Sequence, residues 1–383
     1  MSHSNQQNKQ ALDRHAALAM TSSGSNRHPA LAFLASCTLA LSTSATAAPQ
    51  DALLEADPQA RYGQGMFELS ADHMNKSLDL FKLRDSSLVM AGENSGDYQG
   101  ASLRAGLSLA PNVWVDGALQ RRKLTYGNDQ PQIDSWRVGA QWQFLQLQGS
   151  SPAAALRVSA WGNQAPQVVK SSPTVLACLD TNQPCQTPVT ADRLSVNKAK
   201  DHTLQADLIG SWALGPVKLS AFAGAGQGKV SVGSITATAL GQTTTFANGQ
   251  FDNSTFDGIA NTLKLNAELQ SINYDTRTAH AGFNLAYSSG AWHWRGGYVL
   301  QNIQRTAVDD VIRSKNKTPY NLNQTLVGEV GYKITPNMML FTRGQVMNHQ
   351  FVTEIPFLYN SLTSQRFDQR YGLLSIGVVA GFY

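Results

Sequence analysis

The sequence predicts an all-β fold: one antiparallel transmembrane β-barrel of about twelve strands, ten or fourteen being the neighbouring solutions. It would have short turns at one end and long loops at the other. Three observations carry this. Most of the chain alternates apolar and polar residues with period two, tight turns alternate with long polar stretches, and the mature region lacks the run of roughly 18 apolar residues a membrane helix needs. Composition agrees. With 42% hydrophobic residues and a mean hydropathy of −0.25, the chain is too polar for a helical membrane bundle. At 383 residues it fits one large barrel. Charged residues are scarce at 15% and glycines abundant at 31, which suits short strands and turns better than helices. A formal charge of +4, with no basic cluster interleaved with aromatics, gives no reason to expect a nucleic-acid partner.

The N-terminus reads as a targeting segment. Lys9, Arg14 and Arg27 form a positive region, residues 29–41 an apolar one, and Ala45-Thr46-Ala47 a small-residue cleavage site, so residues 1–47 are a signal peptide. Leu34-Ala35-Ser36-Cys37 resembles a bacterial lipobox in which Cys37 would carry lipid. Apolar character continues past Cys37 to the later site, which favours ordinary cleavage. Residues 48–77 form a periplasmic N-terminal segment. Phe67, Ala71, Met74, Leu78 and Phe81 recur at helical spacing, so this piece is either a helix or partial plug, or a plain lead-in.

The barrel is expected over residues 78–383. In DSWRVGAQWQF, Trp136, Val138, Ala140, Trp142 and Phe144 share a face against Arg137, Gly139, Gln141 and Gln143. HTLQADLIGSWAL, AHAGFNLAY and QTLVGEVGYKI repeat the pattern. The predicted strands are 78–92, 98–110, 113–127, 134–148, 153–163, 202–214, 217–232, 277–289, 291–305, 322–335, 338–352 and 371–383. Turns with Pro, Gly or Asn join neighbours at 109–114, 213–218, 287–292 and 333–338, whereas 164–201, 234–275, 306–321 and 353–369 are long and polar. Cys178 and Cys185, close together in ACLDTNQPCQ, read as a loop disulfide of an exported chain. No histidine stands at ligand spacing from them, so no metal or other cofactor is expected.

Signal peptide, alternation, loop asymmetry and an aromatic C-terminus together make the mature chain resemble bacterial outer-membrane β-barrel proteins of the porin-like class. The resemblance implies a Gram-negative outer-membrane location, both termini periplasmic, and contact with outer-membrane lipids and lipopolysaccharide. It also implies insertion by machinery that reads the terminal aromatic. Trp114, Trp212, Trp292, Trp294, Tyr98 and Tyr126 fall near strand ends, where an interfacial girdle would sit. The closing strand YGLLSIGVVAGFY gives a lipid face of Tyr371, Leu373, Val379 and Tyr383. Its other face, Leu374, Ile376, Val378 and Phe382, is apolar too, which predicts the N-terminal segment packed inside against this seam. An autotransporter translocator has a similar strand count, but only a few dozen mature residues precede the barrel, which leaves no room for a passenger.

Enzymatic barrels with a His-x-Ser pair are disfavoured, because no histidine of the mature chain has serine two residues later. Asp309-Asp310 and Asp201-His202 give a remote outer-membrane protease alternative, and no catalytic residues are assigned. GAGQGK at 224–229 lies within a strand, so its glycines serve curvature or interior space rather than a phosphate loop. By parity Arg104, Arg122, Arg137, Arg157, Lys218, Arg295, Lys333 and Arg343 face the lumen, against Asp116, Asp207 and Glu329. Such a basic passage concentrates anions. The expected function is therefore non-enzymatic: a channel for small anionic solutes or acidic oligosaccharides. The alternative is a closed structural or accessory barrel associated with envelope or exopolysaccharide export.

Overall fold

The computed structural model describes residues 51–56, 63–74, 78, 95–146, 152–171, 173–178, 188–239, 241–262 and 265–382. The signal peptide with Cys37, the Cys178–Cys185 pairing and, apart from Leu78, the strand expected at 78–92 lie outside the described residues.

Twelve strands form one closed antiparallel barrel. They are β1 (Gly65–Met74), β2 (Ser95–Ala110), β3 (Val113–Tyr126), β4 (Gln132–Leu145), β5 (Ala153–Lys170) and β6 (Pro188–Leu214), followed by β7 (Val217–Ser231), β8 (Tyr274–Ser289), β9 (Trp292–Arg305), β10 (Leu322–Thr335), β11 (Met338–Met347) and β12 (Tyr371–Phe382). Each pairs with the next, and β12 closes on β1 in a continuous register from Gly65 opposite Phe382 to His73 opposite Leu374.

The strand that completes the barrel is thus Gly65–Met74, ahead of the expected 78–92, and the boundary between lead-in and barrel moves from 78 to 65. Phe67, Leu69 and Ala71 face out while Glu68, Ser70 and Asp72 are buried inside. That is period two, and the helical spacing seen from Phe67 to Met74 is coincidental in so short a stretch.

Outward positions are apolar from the short turns upward: Leu204, Leu208, Trp212 and Leu214 on β6, Phe283, Leu285 and Tyr287 on β8, Leu326, Tyr332 and Ile334 on β10 are all exposed. A slip of one residue would put Asp207, His280 and Glu329 in their place, so the register is strongly specified. Near the short-turn end Trp142, Phe144, Trp212, Trp292, Trp294 and Tyr332 make an outward aromatic ring. Trp114, Tyr98 and Tyr126 do not belong to it. Trp114 points inward and donates to Asp116, Tyr98 is buried inside, and Tyr126 packs against the internal cluster around it. On β12 the parity is also the reverse of that expected. Ser375 is buried inside opposite Arg343 and Asp72, which puts Tyr371 and Leu373 inward and Ile376 and Phe382 in the lipid face.

Glycines on the inner wall let charges from non-adjacent strands meet. Gly224 on β7 lies between Asp207 on β6 and His280 on β8, and a Cβ there would collide with both side chains. Without it they come within 2.5 Å. Gly139 on β4 does the same for Asp116 on β3 and Arg157 on β5, whose guanidinium donates twice, at 2.7 and 2.9 Å. The expectation that glycines 224, 226 and 228 clear interior space therefore has a concrete form.

β5 and β6 run well beyond the apolar band, so that much of the expected 164–201 loop is strand. A hairpin, Ser234–Ala239 with Gln242–Ala247, extends the sheet from the outer half of β6. Helices α1 (Ser254–Thr262) and α2 (Asn266–Gln270) lie in the same loop, packed through Ala260, Leu269 and Phe246. A third helix, α3 (Val308–Ser314), follows β9 and buries Val308 and Ile312 in the cluster at the long-loop end.

Replacing Gly139 with valine should force Arg157 off Asp116 and cost about 3–5 kcal/mol, the penalty for breaking a buried ion pair. Denaturant unfolding of the protein refolded into lipid vesicles measures this, and an unchanged midpoint would refute the role given to the glycine.

Candidate functional site in the barrel lumen

Twelve strands enclose more space than inward side chains alone fill, and two inserted segments occupy it at different heights. At the long-loop end the connection between β11 and β12 folds inward. Phe351, Val352, Ile355, Phe357 and Tyr359 are buried among Tyr98, Leu124, Ile133 and Tyr371. Phe351 packs on Tyr371 at 4.2 Å, and Arg305 lies over the Tyr359 ring at 4.1 Å. Tyr274 donates to the carbonyls of Pro356 and Tyr359, both at 2.7 Å.

Beneath this apolar cap lies a polar layer centred on Glu354. It accepts from Arg122 at 3.2 Å and Gln345 at 2.8 Å, while its backbone carbonyl accepts from Asn163 at 2.9 Å. Arg122 also donates to Ser135 and Asn163, both at 2.6 Å, and Asn163 donates to Asp201 at 2.8 Å. The segment is therefore bonded to strands around most of the circumference and closes the lumen at that end.

At the short-turn end, residues 51–56 enter the barrel. A one-turn 3-10 helix, Asp51–Leu53, passes so close to β9 that a Cβ at Gly297 would overlap the Ala52 carbonyl. Leu54 and Ala56 cover an apolar patch of the inner wall made by Ile209, Phe222, Val299 and Val327. Polar anchors surround it. Asn284 donates to the Leu54 carbonyl at 2.5 Å, Gln141 to that of Glu55 at 2.9 Å, and Lys218 to the Glu55 carboxylate at 2.6 Å. The segment sits across the lumen from the β12–β1 seam rather than against it, because the apolar inner patch is there while the seam offers Ser375, Gly377 and Gly381.

Below residues 53–55 a cavity of about 680 Å³ opens between the short turn at Gly215 and Pro216 and the end of β12 at Gly381. Arg104, Arg137, Arg157, Lys218 and Arg295 reach it, with Glu55, Glu68 and His293. Seven of the eight predicted cations thus face the lumen interior. Five gather in this vestibule, Arg122 lies in the polar layer under the cap, and Arg343 is buried between Glu68 at 3.1 Å and Glu329 at 2.6 Å. Lys333 keeps inward parity but is exposed near the 335–338 turn, outside the cavity. Of the predicted acids, Asp116 holds Arg157 and Arg104, Glu329 holds Arg295 at 2.6 Å as well as Arg343, and Asp207 holds His280.

The parity count of eight cations against three acids missed Glu68, Asp72, Glu354, Asp201 and Glu55. Glu68 and Asp72 lie on β1, legible as inward had FELSAD been read with period two. Glu354 and Glu55 come from inserted segments without periodicity. Among the described residues the inward charges are nearly balanced rather than strongly basic. The residues of the protease alternative do not form a site: Asp201 is buried inside and His202 exposed on the opposite face of the same strand, while Asp309 is held by Arg305 and Asp310 by Arg313.

Burial pushes the Glu354 carboxyl above the usual range, with Asp72 adding to the rise and Arg122 and Gln345 opposing it. A carboxyl whose pKa is higher docked than released favours docking when protonated. The 348–370 segment is therefore held most firmly at low pH and loosens as pH rises through the docked pKa. A spin label at exposed Leu362 should gain mobility with increasing pH, and Glu354→Gln should flatten the profile. A wild-type profile already flat, or loosening toward acid, would contradict the sign.

No family model matches the chain, and no curated protein matches its sequence. Solved structures align with most of the chain at low similarity. The translocator domain of the autotransporter NalP from Neisseria meningitidis aligns over 85% of this chain and 90% of its own, at 10% identity and a TM-score of 0.44. An outer-membrane channel from Pseudomonas putida F1 aligns over 88% and 99%, at 10% identity and a TM-score of 0.43. The KdgM porin aligns over 83% and 99%, at 8% identity and a TM-score of 0.36.

Proposed function

We propose that the chain is an outer-membrane channel for small anionic solutes, acidic oligosaccharides among them, closed at its outer end by the inward-folded 348–370 segment. The observation that carries this reading is the vestibule, where Arg104, Arg137, Arg157, Lys218 and Arg295 converge on a water-accessible cavity. Guanidinium groups hold carboxylates and phosphates by paired hydrogen bonds, and low-dielectric walls strengthen the attraction. Solute would pass when the cap leaves the lumen and the 51–56 segment yields. No catalytic role is proposed, and turnover of a peptide or ester by the purified barrel would overturn that.

A second reading, a closed accessory barrel of envelope polysaccharide export, is favoured by one observation. Arg122, Arg157 and Arg343 are all committed to buried carboxylates. Planar bilayers separate the two. With residues 351–358 replaced by a Gly/Ser linker and residues 51–56 removed as well, the channel reading predicts steady conductance with anion preference, reduced when Arg104 and Arg137 both become glutamine. No conductance, or a cation preference, would leave the accessory barrel.

A further inference from the structure

The outer wall carries a feature that neither closure uses. Where the apolar band ends toward the long loops, Lys200 on β6, Lys229 on β7 and Arg277 on β8 all point outward and are exposed. Lys229 stands opposite His202 and Asp275, with Arg277 opposite Gln227 and Lys200 opposite Ser231, so the three cations are diagonal neighbours along adjacent strands. Diagonal positions lie roughly 7–8 Å apart, within reach of long side chains. Among the described residues none of the three forms an ion pair. On β3, by contrast, the exposed Arg121 is matched by Asp134 at 2.7 Å. Directly below the cluster the wall is shallow. Ala221, Ala223 and Ala225 run down β7, beside Ala206 on β6 and Ala279 and Ala281 on β8. Larger side chains border this trough, Leu204 and Leu208 on one side and Phe283 on the other.

We infer that this face is a lipid site: the β7 trough holds an acyl chain of the outer leaflet, and Lys200, Lys229 and Arg277 bind the phosphate of its headgroup. The occupant is a phosphorylated lipid rather than a protein. The trough lies within the band that faces hydrocarbon, and the cations sit at its edge, where headgroups are. Like charges on neighbouring strands repel, offset in part by Asp275, which faces outward opposite Lys229, and a phosphate between the cations removes the remaining cost while gaining charge-assisted hydrogen bonds. The site is independent of whether the lumen conducts.

The test uses the full mature barrel in dodecyl maltoside micelles, with bound lipid counted by native mass spectrometry after addition of lipid A carrying two phosphates. The wild type should retain it in preference to dephosphorylated lipid A or phosphatidylcholine. The Lys200→Gln, Lys229→Gln, Arg277→Gln variant should bind about a hundredfold more weakly, at roughly 1 kcal/mol for each cation near a headgroup surface. Filling the trough with Ala223→Leu should weaken lipid A binding without removing the phosphate preference. Arg121→Gln, three strands away on β3, should change nothing. Equal retention by the triple variant, equal loss in Arg121→Gln, or full displacement by equimolar inorganic phosphate would each overturn the assignment. Should the triple variant fail to fold, Arg277→Gln alone should still weaken binding several-fold, and unchanged binding there would overturn it equally.

Discussion

No backbone N–H or C=O can go unpaired in hydrocarbon, and everything else in this molecule follows from how the wall meets that demand. The sheet has no edge because β12 returns to β1, pairing Gly65–His73 with residues 374–382. Closure at twelve strands fixes the circumference, and the circumference fixes an interior too wide for inward side chains to fill. Filling is then delegated. The apolar inner patch of Ile209, Phe222, Val299 and Val327 takes residues 51–56, and the mouth beyond Arg122 takes the 348–370 segment.

The same enclosure governs the charges. An arginine on an inner wall shielded from water is tolerated when a carboxylate reaches it, and the strands alone do not bring enough carboxylates into range. Two devices supply them. Glycines at 139 and 224 remove side chains between strands so that partners two strands apart meet, and the inserted segments contribute Glu55 and Glu354 to Lys218 and Arg122. The charge pairs and the closures are thus one construction. Releasing either segment frees a cation at the surface a solute would traverse, which ties the packing of the barrel to its proposed selectivity.

The wall was largely legible in the sequence, and the filling was not. Eleven of the expected strands coincide with observed ones because a two-sided wall imposes period two wherever lipid and lumen differ in polarity. At β1 the stretch is short, and Phe67, Ala71 and Met74 fit a helical spacing while only Phe67, Leu69 and Ala71 mark the strand's outer face. The misassigned face of β12 came from a strand apolar on both sides, where Ser375 alone marks the inside. Arg104, Arg137 and Arg157 line the inner cavity on strands whose parity is regular. Parity could not find Glu354, because a residue on an irregular segment has no periodic neighbour to reveal its side, and it is this residue that decides how the lumen is closed.

The vestibule opens to the short-turn side, and the 348–370 segment seals it from the long-loop side. Thiol accessibility in oriented proteoliposomes reads both properties at once. A single cysteine at Ser288, which lines the cavity, is placed on a background with Cys178 and Cys185 replaced. A membrane-impermeant maleimide should label it rapidly from the short-turn side and not from the other. Labelling at comparable rates from both sides would mean that the 348–370 segment does not close the barrel.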